Sequence, residues 1–338
     1  MPSTEREPDA KFWRTFLWSQ WMFTPPYPTQ SWTGKTVIVT GSNVGLGFEA
    51  AQHFARLGAE KVILATRNLS AAEKARSSIE QSTGCGLNVV ECWPLDLCSY
   101  ASVKKFAARC GTLPRLDCLL ENAGITGTTY RKVELDEIQI TVNVVSTFLL
   151  GLQVLPILKE TAAKYNTRTH LTIVTSEMHH QASLKERFAV KAGKHASLLE
   201  ALDDPKTAVM TDRYQVSKLL EIFFLRELTS TIAGEDYPVA INCVNPGFCR
   251  SSLLRDFAGV AAILNVLLHA RQTEIGSRTL VQAASAGPES HGQYLSNCKV
   301  ALVSNFVRSD EGRQVQKQVY KDIVDRLENI QPGIMQNV

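Results

Sequence analysis

Tyr214-Gln215-Val216-Ser217-Lys218 sets a phenol and an ammonium four residues apart. On a helix, positions i and i+4 share one face, so both groups point the same way. A free tyrosine titrates at about 10 and is a poor acid–base group near neutrality. A lysine cation beside it favours the tyrosinate and lowers that value, which makes the pair a usable general acid–base. The spacing is common on plain surface helices, and its weight here comes from the neighbouring segments. An apolar run from Leu171 to Thr175 leads into Ser176 upstream, and a second from Val239 to Val244 leads into Asn245-Pro246-Gly247 downstream. Ser176 can donate a hydrogen bond to a substrate carbonyl and stabilise the alkoxide that develops there. Asn143, on a helix at the centre of the domain, can hold a water that re-protonates the pair, through its side chain or its carbonyl. A structural core asparagine is the alternative reading of the same residue.

A second stretch, Lys35 to Leu57, also carries chemistry. Val37 to Val39 form a β-branched apolar run, the mark of a buried strand. Gly41, Gly45 and Gly47 then punctuate a loop that also holds Ser42, Asn43 and Leu46, and Ala50, Ala51, Phe54, Ala55 and Leu57 recur at helical spacing. A strand, a glycine loop and a helix N-terminus make an anion site, because free N–H groups and the helix dipole point at whatever sits there. A dinucleotide on that loop brings its adenosine ribose to the end of the next strand, Val62 to Thr66, where Arg67 follows. A guanidinium pairs with a 2′-phosphate through two parallel hydrogen bonds, so NADP(H) is expected over NAD(H). Asp96, after the third strand and followed by Leu97, can accept a hydrogen bond from the adenine amino group.

These residues need elements to hold them. Strand-like runs near 37–39, 62–66, 88–94, 116–120, 171–175, 239–244 and 293–295 alternate with helical patterns near 71–82, 100–109, 136–163, 214–228, 256–269, 273–286 and 310–328. Ser70 with Glu73 is the expected capping box of the 71–82 helix, and Ser99 the expected cap of the next. The alternation implies right-handed βαβ units and a mostly parallel sheet, which binds ligands at the carboxyl ends of its strands. Ser42 and Asn43, Arg67, Asp96, Asn122, Ser176 and Asn245 each follow a strand directly, so they should converge on one edge above the glycine loop.

Composition narrows the alternatives. The 338 residues, 44% hydrophobic and 20% charged, can bury a sizeable core. A net charge of +3 is too mild to argue for a nucleic-acid partner. Eight scattered cysteines without a C-x-x-C pair read as reduced thiols in the cytoplasm, and no metal site is expected. The acidic N-terminus does not read as a signal peptide, and no run of 18 apolar residues marks a transmembrane span. Residues 12–23 concentrate Phe12, Trp13, Phe16, Leu17, Trp18, Trp21, Met22 and Phe23. They suit an interfacial membrane helix, a partner-binding arm, or a helix packed on the main domain. Only Lys11 and Arg14 add positive charge, which favours packing; residues 11–23 are the one segment suited to peripheral membrane contact. Pro25, Pro26 and Pro28 end the segment.

The ordered set Thr40-Gly41-x-x-x-Gly45-x-Gly47, Asn122-Ala123-Gly124, Ser176, Tyr214-x-x-x-Lys218 and Pro246-Gly247 resembles the short-chain dehydrogenase/reductase family over about residues 33–300. The runs Ser42 to Gly47, Ala65 to Asn68, Tyr214 to Leu219 and Gly292 to Ser296 are most similar to the retinol-dehydrogenase-like and WW-domain-oxidoreductase-like branch and its fungal relatives, without a WW domain. The resemblance implies an α/β, Rossmann-type doubly wound parallel sheet of about seven strands in one domain. The chain is then expected to divide into an aromatic arm at 1–32, a catalytic domain at 33–300, and a C-terminal helix and tail at 301–338. Tyr214 would be the general acid–base, Lys218 would bind the nicotinamide ribose, Ser176 would polarise the carbonyl and Asn143 would complete the proton relay. Gly41, Ser42, Asn43, Gly45, Leu46, Gly47, Arg67, Asp96, Leu97, Asn122, Ala123, Gly124, Pro246, Gly247 and Ser251 would line the cofactor, Ser251 at the usual threonine position. The substrate is expected to be a hydrophobic small molecule under a lid at 177–211, with His179 and His180 as polar lid residues rather than metal ligands. The apolar run Phe257 to Leu268 points the same way. A tailoring reductase of a polyketide-like metabolite is a second reading, and a catalytically silent NADP-binding scaffold a third. Homodimerisation through the helices at 136–163 and 212–228 is a further family expectation. Two departures stand out: Glu121 replaces the first asparagine of Asn-Asn-Ala-Gly, and Val44 leaves Arg67 to select the cofactor alone.

Overall fold

The computed structural model describes residues 10–232, 236–250 and 268–338. The strand run starting at Val37 becomes β1 (Thr36–Thr40), buried at every position. The other strands of the main sheet are β2 (Lys61–Thr66), β3 (Val90–Pro94), β4 (Cys118–Glu121), β5 (Thr169–Val174), β6 (Val239–Asn245), β7 (Tyr294–Ser296) and β8 (Lys299–Val300). They form one sheet in the order β8-β7-β6-β5-β4-β1-β2-β3, parallel except for the outermost β7–β8 pair. β4 lies beside β1, so the winding direction reverses there, and a ligand crevice is expected at that point.

Period-two alternation sorts each strand between two cores. Val37 and Val39 of β1 join Val62, Leu64 and Leu120 under α2 (Gly45–Arg56), α3 (Leu69–Thr83) and α7 (Thr273–Ala283). Ile38 joins Ile63, Leu119 and Leu171 on the other face, under α4 (Tyr100–Cys110), α5 (Ile138–Tyr165), α6 (Arg213–Ser230) and α8 (Asp310–Ile330). α5 is long and apolar enough to cross a membrane by composition, yet 83% of its most apolar window is buried in the fold, which makes it a core helix. All eight cysteines are free thiols.

Three local features differ from expectation. α3 starts at Leu69, capped by Asn68, whose Oδ1 accepts the Ala71 N–H at 3.0 Å; Ser70 lies inside the helix. Asparagine caps as well as serine, and the earlier candidate reached the free N–H groups first. Ser99 does cap α4. An eighth strand, β8, folds back on β7 across Asn297 and Cys298, both at positive φ, as a tight hairpin turn requires. Finally, the helix face expected to dimerise is covered at α6 by the chain's own C-terminal segment. α6 is buried at every position from Val216 to Leu225; Tyr320 of α8 lies 5.2 Å from Phe224, and the tail anchors on α5 through Lys159 Nζ to the Val338 carbonyl at 2.8 Å.

The N-terminal helix α1 (Ala10–Met22) packs on the main fold. Phe12, Phe16, Ser19 and Gln20 are buried, while Trp13, Leu17, Trp18, Trp21 and Met22 face outward. Gln20 pairs with the main chain of Phe248, donating to its carbonyl at 2.9 Å and accepting its N–H at 3.2 Å. Buried Arg271 donates to the carbonyls of Ser19 and Pro246 at 3.0 Å and to Asn297 Oδ1 at 2.9 Å. The proline segment runs on as packed chain: Arg56 and Arg278 donate to the carbonyls of Pro28 and Pro25, and Trp32 is buried edge-on against Phe54. Gln20→Ala removes its hydrogen bonds to the half-buried main chain of Phe248 and the weaker one to the His269 carbonyl, and should cost about 1–3 kcal/mol. We expect the thermal midpoint to fall by several degrees and trypsin to cut at the exposed Arg14 in the variant before the wild type; an unchanged midpoint and cleavage pattern would show that this contact does not hold the arm.

Candidate active site

The glycine loop leaves β1 through Gly41 and enters α2 at Gly45, both at positive φ (+64° and +66°). At Gly47 the constraint is space: a Cβ there would stand 2.4 Å from Asn122 Nδ2 and 2.8 Å from the Gly41 carbonyl. Val44 precedes α2 without a side-chain cap, so the first N–H groups of the helix are left for a ligand. Asn122 closes the cradle from β4. Its Nδ2 donates to the Thr40 carbonyl at 2.9 Å and the Gly41 carbonyl at 3.3 Å, and Thr40 Oγ1 accepts the N–H groups of Asn122 and Ala123 at 3.0 and 2.9 Å. Ser42 is turned inward and donates to the Val39 carbonyl at 2.7 Å, while Asn43 and Leu46 are half-buried on the loop. Arg67 is exposed at the end of β2, with no salt bridge among the described residues. Asp96 is half-buried and accepts the Cys98 N–H; Leu97 is buried and its carbonyl accepts the Ser146 hydroxyl.

Four strand ends away from β3, the second group assembles. Ser176 follows β5 and opens a single 3₁₀ turn, Glu177–Gln181. Its hydroxyl is hydrogen-bonded to Tyr214, which stands one residue into α6. His179 holds the turn: Nδ1 meets the Ser176 carbonyl at 2.8 Å and Nε2 accepts the Ser304 N–H at 3.1 Å. Burial drives its pKa far down, so it is a neutral imidazole with a set tautomer. Lys218, one turn past Tyr214, is buried, with its Nζ 5.8 Å from the phenol ring centre. That ammonium donates to Glu221 Oε1 at 2.7 Å and to the Val174 carbonyl at 2.9 Å. Gly124 backs onto this corner: a Cβ there would lie 3.4 Å from Asn143 Oδ1 and 3.7 Å from Lys218 Nζ.

The expected lysine effect on Tyr214 is present but is outweighed. The phenol pKa is raised, because burial outweighs the Lys218 cation and the Glu221 carboxylate opposes it. Asn143 lies in a π-helical turn, Thr141–Ser146, near the start of α5. Its amide is committed to structure: Oδ1 accepts the Ile125 N–H at 2.9 Å, and Nδ2 donates to the Ile125 carbonyl at 2.9 Å and Ser217 Oγ at 3.0 Å. Of the two groups offered for a relay, only its main-chain carbonyl is left. Gly247, at φ +79°, takes its N–H to Asn245 Oδ1, and a Cβ on it would collide with Arg271 Nη1 at 2.5 Å. Pro246 is buried beside it. Ser251 and most of the apolar run Phe257 to Leu268 lie outside the described residues. Sequence reasoning missed Gln20, Arg271 and Glu221, and named His179 only as a polar lid residue, without its turn-holding bonds. Only Glu221 left a trace, an acid on the otherwise apolar run Leu219 to Leu225. Glu177 was passed over too; burial pushes its pKa up to about 7 despite Arg271 and Asn245 nearby.

Known proteins are similar to this chain in sequence and fold. A family model described as short chain dehydrogenase matches residues 35–186. The short chain dehydrogenase/reductase dmxR8 of Cryptosporiopsis sp. is 46% identical over 325 residues, which is 95% of this chain and 99% of that one. The short chain dehydrogenase atnD of Emericella nidulans is 41% identical over 295 residues, 85% of this chain and 91% of that one. Among solved structures, a short chain dehydrogenase from Shigella flexneri complexed with NADP superposes with a TM-score of 0.57 at 22% identity, covering 80% of this chain and 100% of that one. One from Pseudomonas syringae gives 0.59 at 23%, covering 82% and 99%. With a fungal relative alike along nearly its whole length, and with the glycine cradle and the Ser176–Tyr214–Lys218 corner at neighbouring strand ends, the chain belongs to the short-chain dehydrogenase/reductase family of oxidoreductases.

Proposed function

We propose that this oxidoreductase uses NADP(H) to interconvert a carbonyl and an alcohol on a hydrophobic substrate, with Tyr214 as general acid–base. The observation that carries this reading is the corner in which Ser176 is hydrogen-bonded to Tyr214 and the Lys218 ammonium stands 5.8 Å from the phenol ring centre, near the Gly41–Gly47 cradle. The cradle fits a dinucleotide pyrophosphate: its helix end is uncapped and Gly47 leaves no room for a side chain. Gly41, Ser42, Asn43, Gly45, Leu46 and Gly47 would hold the pyrophosphate, Asp96 and Leu97 the adenine, and Asn122, Ala123, Gly124, Pro246, Gly247 and Ser251 the nicotinamide half. Arg67 stands free at the end of β2 for a 2′-phosphate. The NADP complex of the Shigella flexneri protein supports that choice by analogy.

When bound, the reduced nicotinamide supplies the hydride. The chain's own residues handle the oxygen. Ser176 donates a hydrogen bond to the carbonyl oxygen, and Tyr214 gives it a proton as negative charge develops there. Lys218 spends two of its three N–H donors on Glu221 and Val174, which leaves one for the nicotinamide ribose. The Asn143 carbonyl is left to hold the water that returns a proton. The substrate side is apolar: Phe12 of α1 lies 5.1 Å from His180, four residues past Ser176, and Phe16 stacks behind it. Residues 177–211, with short helices at Arg187–Lys191 and Leu198–Asp203, form the lid in this reading.

Purified enzyme should oxidise NADPH with members of a panel of apolar aldehydes and ketones, whereas a silent scaffold would bind NADPH and turn over none. Tyr214→Phe should lower kcat by about 10²–10⁴ and leave NADPH affinity intact; a fully active variant would refute the assigned role. Arg67→Asp should raise KM for NADPH by roughly 10-fold or more and shift preference toward NADH. Retained preference for NADPH would refute the cofactor assignment.

A further inference from the structure

Ser176 has to present its hydroxyl to the same oxygen as Tyr214, yet the two residues come from different parts of the fold. Tyr214 is carried by α6, whereas Ser176 leaves β5 on a 3₁₀ turn of only five residues, Glu177–Gln181. One such turn has little stability of its own. The serine hydroxyl is tied to it, because Ser176 Oγ accepts the Met178 N–H at 3.1 Å. Where the turn sits therefore decides where the hydroxyl sits.

His179 fixes the turn from outside. It is 1% exposed, and both ring nitrogens are engaged, Nδ1 at the Ser176 carbonyl and Nε2 at the Ser304 N–H. A main-chain N–H can only donate, so Nε2 is a bare acceptor. Nδ1 then carries the ring proton and donates it to the Ser176 carbonyl. No other tautomer or charge state satisfies both contacts. Tyr294 of β7 stands edge-on to the ring at 5.0 Å. Ser304 is held in its turn: its Oγ caps the helix Asn305–Arg308 by accepting the Val307 N–H at 3.3 Å, and Phe306 on that helix lies edge-on to Phe223 of α6 at 5.8 Å. These contacts close a ring. It runs from α6 through Phe306, Ser304 and His179 to Ser176, and the hydrogen bond to Tyr214 returns it to α6.

We propose that His179 is a positioning residue for Ser176: its Nδ1–H holds the serine carbonyl while its Nε2 ties the turn to the chain after β8, and together they set the serine hydroxyl against Tyr214. The proposal rests on the role given to Ser176 above. His179 is not itself an acid or base in the reaction, since both nitrogens are spent and burial keeps the ring neutral. The chain after β8, which lies outside the cofactor cradle, thereby takes part in handling the substrate oxygen.

Two measurements decide the matter. The first needs no substrate. Imidazole nitrogen NMR of the full-length protein, with the His179 ring identified by its loss in His179→Asn, should show a neutral ring protonated at Nδ1 at neutral pH. A ring protonated at Nε2, or a charged ring, overturns the proposal. The second is a double-variant cycle in carbonyl reduction. His179→Ala should lower kcat by about 10–100-fold with KM for NADPH unchanged, since misplacing a reacting group by about 1 Å costs up to about 10²-fold. In a Ser176→Ala background the same substitution should cost less than about 2-fold, because an absent hydroxyl cannot be misplaced. An equal loss in both backgrounds means that His179 only supports the fold, and overturns the proposal. His179→Asn, whose side-chain amide can replace the Nδ1–H donor, should recover most of the lost rate; a variant no better than His179→Ala also overturns it. If His179→Ala does not fold, the ring tautomer still decides. If the wild type reduces no carbonyl, the proposed function fails, and the tautomer judges His179 separately.

Discussion

The structure depends on β4 lying directly against β1. Val37, Ile38 and Val39 pair with Cys118, Leu119 and Leu120, and the two strand ends are then locked by Thr40 and Asn122. Two loops leave that lock in the same direction. One is the glycine loop from β1, the other Ala123-Gly124 from β4. Their separation is set to fractions of an ångström, because Gly41 touches Ala123 Cα at 3.0 Å from where a Cβ would stand. The cradle is open only because those two positions carry no bulk. The corner at Tyr214 inherits the same constraint, since Gly124 is backed by Asn143 and Lys218.

Much of this was legible in the sequence, for identifiable reasons. β1, β2, β5 and β6 are β-branched runs buried on both faces, and such runs stand out whatever surrounds them. The polar residues that follow them converge because a parallel sheet puts its strand ends on one edge. What could not be read shares one property: it depends on partners far along the chain. Ser304 gives His179 its role across 125 positions, and Gln20 meets Phe248 across 228. No local pattern encodes either contact. The π turn at Asn143 is also invisible, because one extra residue per turn leaves the apolar periodicity of α5 nearly intact. The direction of the Tyr214 shift was not legible either: its spacing to Lys218 is local, but the desolvation that outweighs the lysine arises only in the folded chain.

Burial gives the charged groups here different tasks according to their partners. Arg271 is 5% exposed, and its guanidinium finds three carbonyls and two side-chain oxygens, so it keeps its charge and ties α1, the Pro246 loop and the β7–β8 turn together. Arg213 is fully buried between Glu137 and Glu186 and anchors the segment after Ser176 to the residue that precedes α5. Ion pairs of this kind are weak evidence for stability, since desolvation offsets much of their attraction. Their effect is to admit one arrangement of neighbouring loops, because any other leaves a charge unpaired.

The same logic couples the N-terminal helix to the site. Gln20 and Arg271 do not merely rest on the loop after β6; they satisfy its Phe248 N–H and carbonyl and the Pro246 carbonyl. Those main-chain groups belong to the loop that shapes the nicotinamide side of the site in the reading above. The aromatic arm is thus tied to the loop after β6 by groups far apart in the chain, and its inner residues are packed in the same way, with Phe12 against His180 and Phe16 stacked on Phe12.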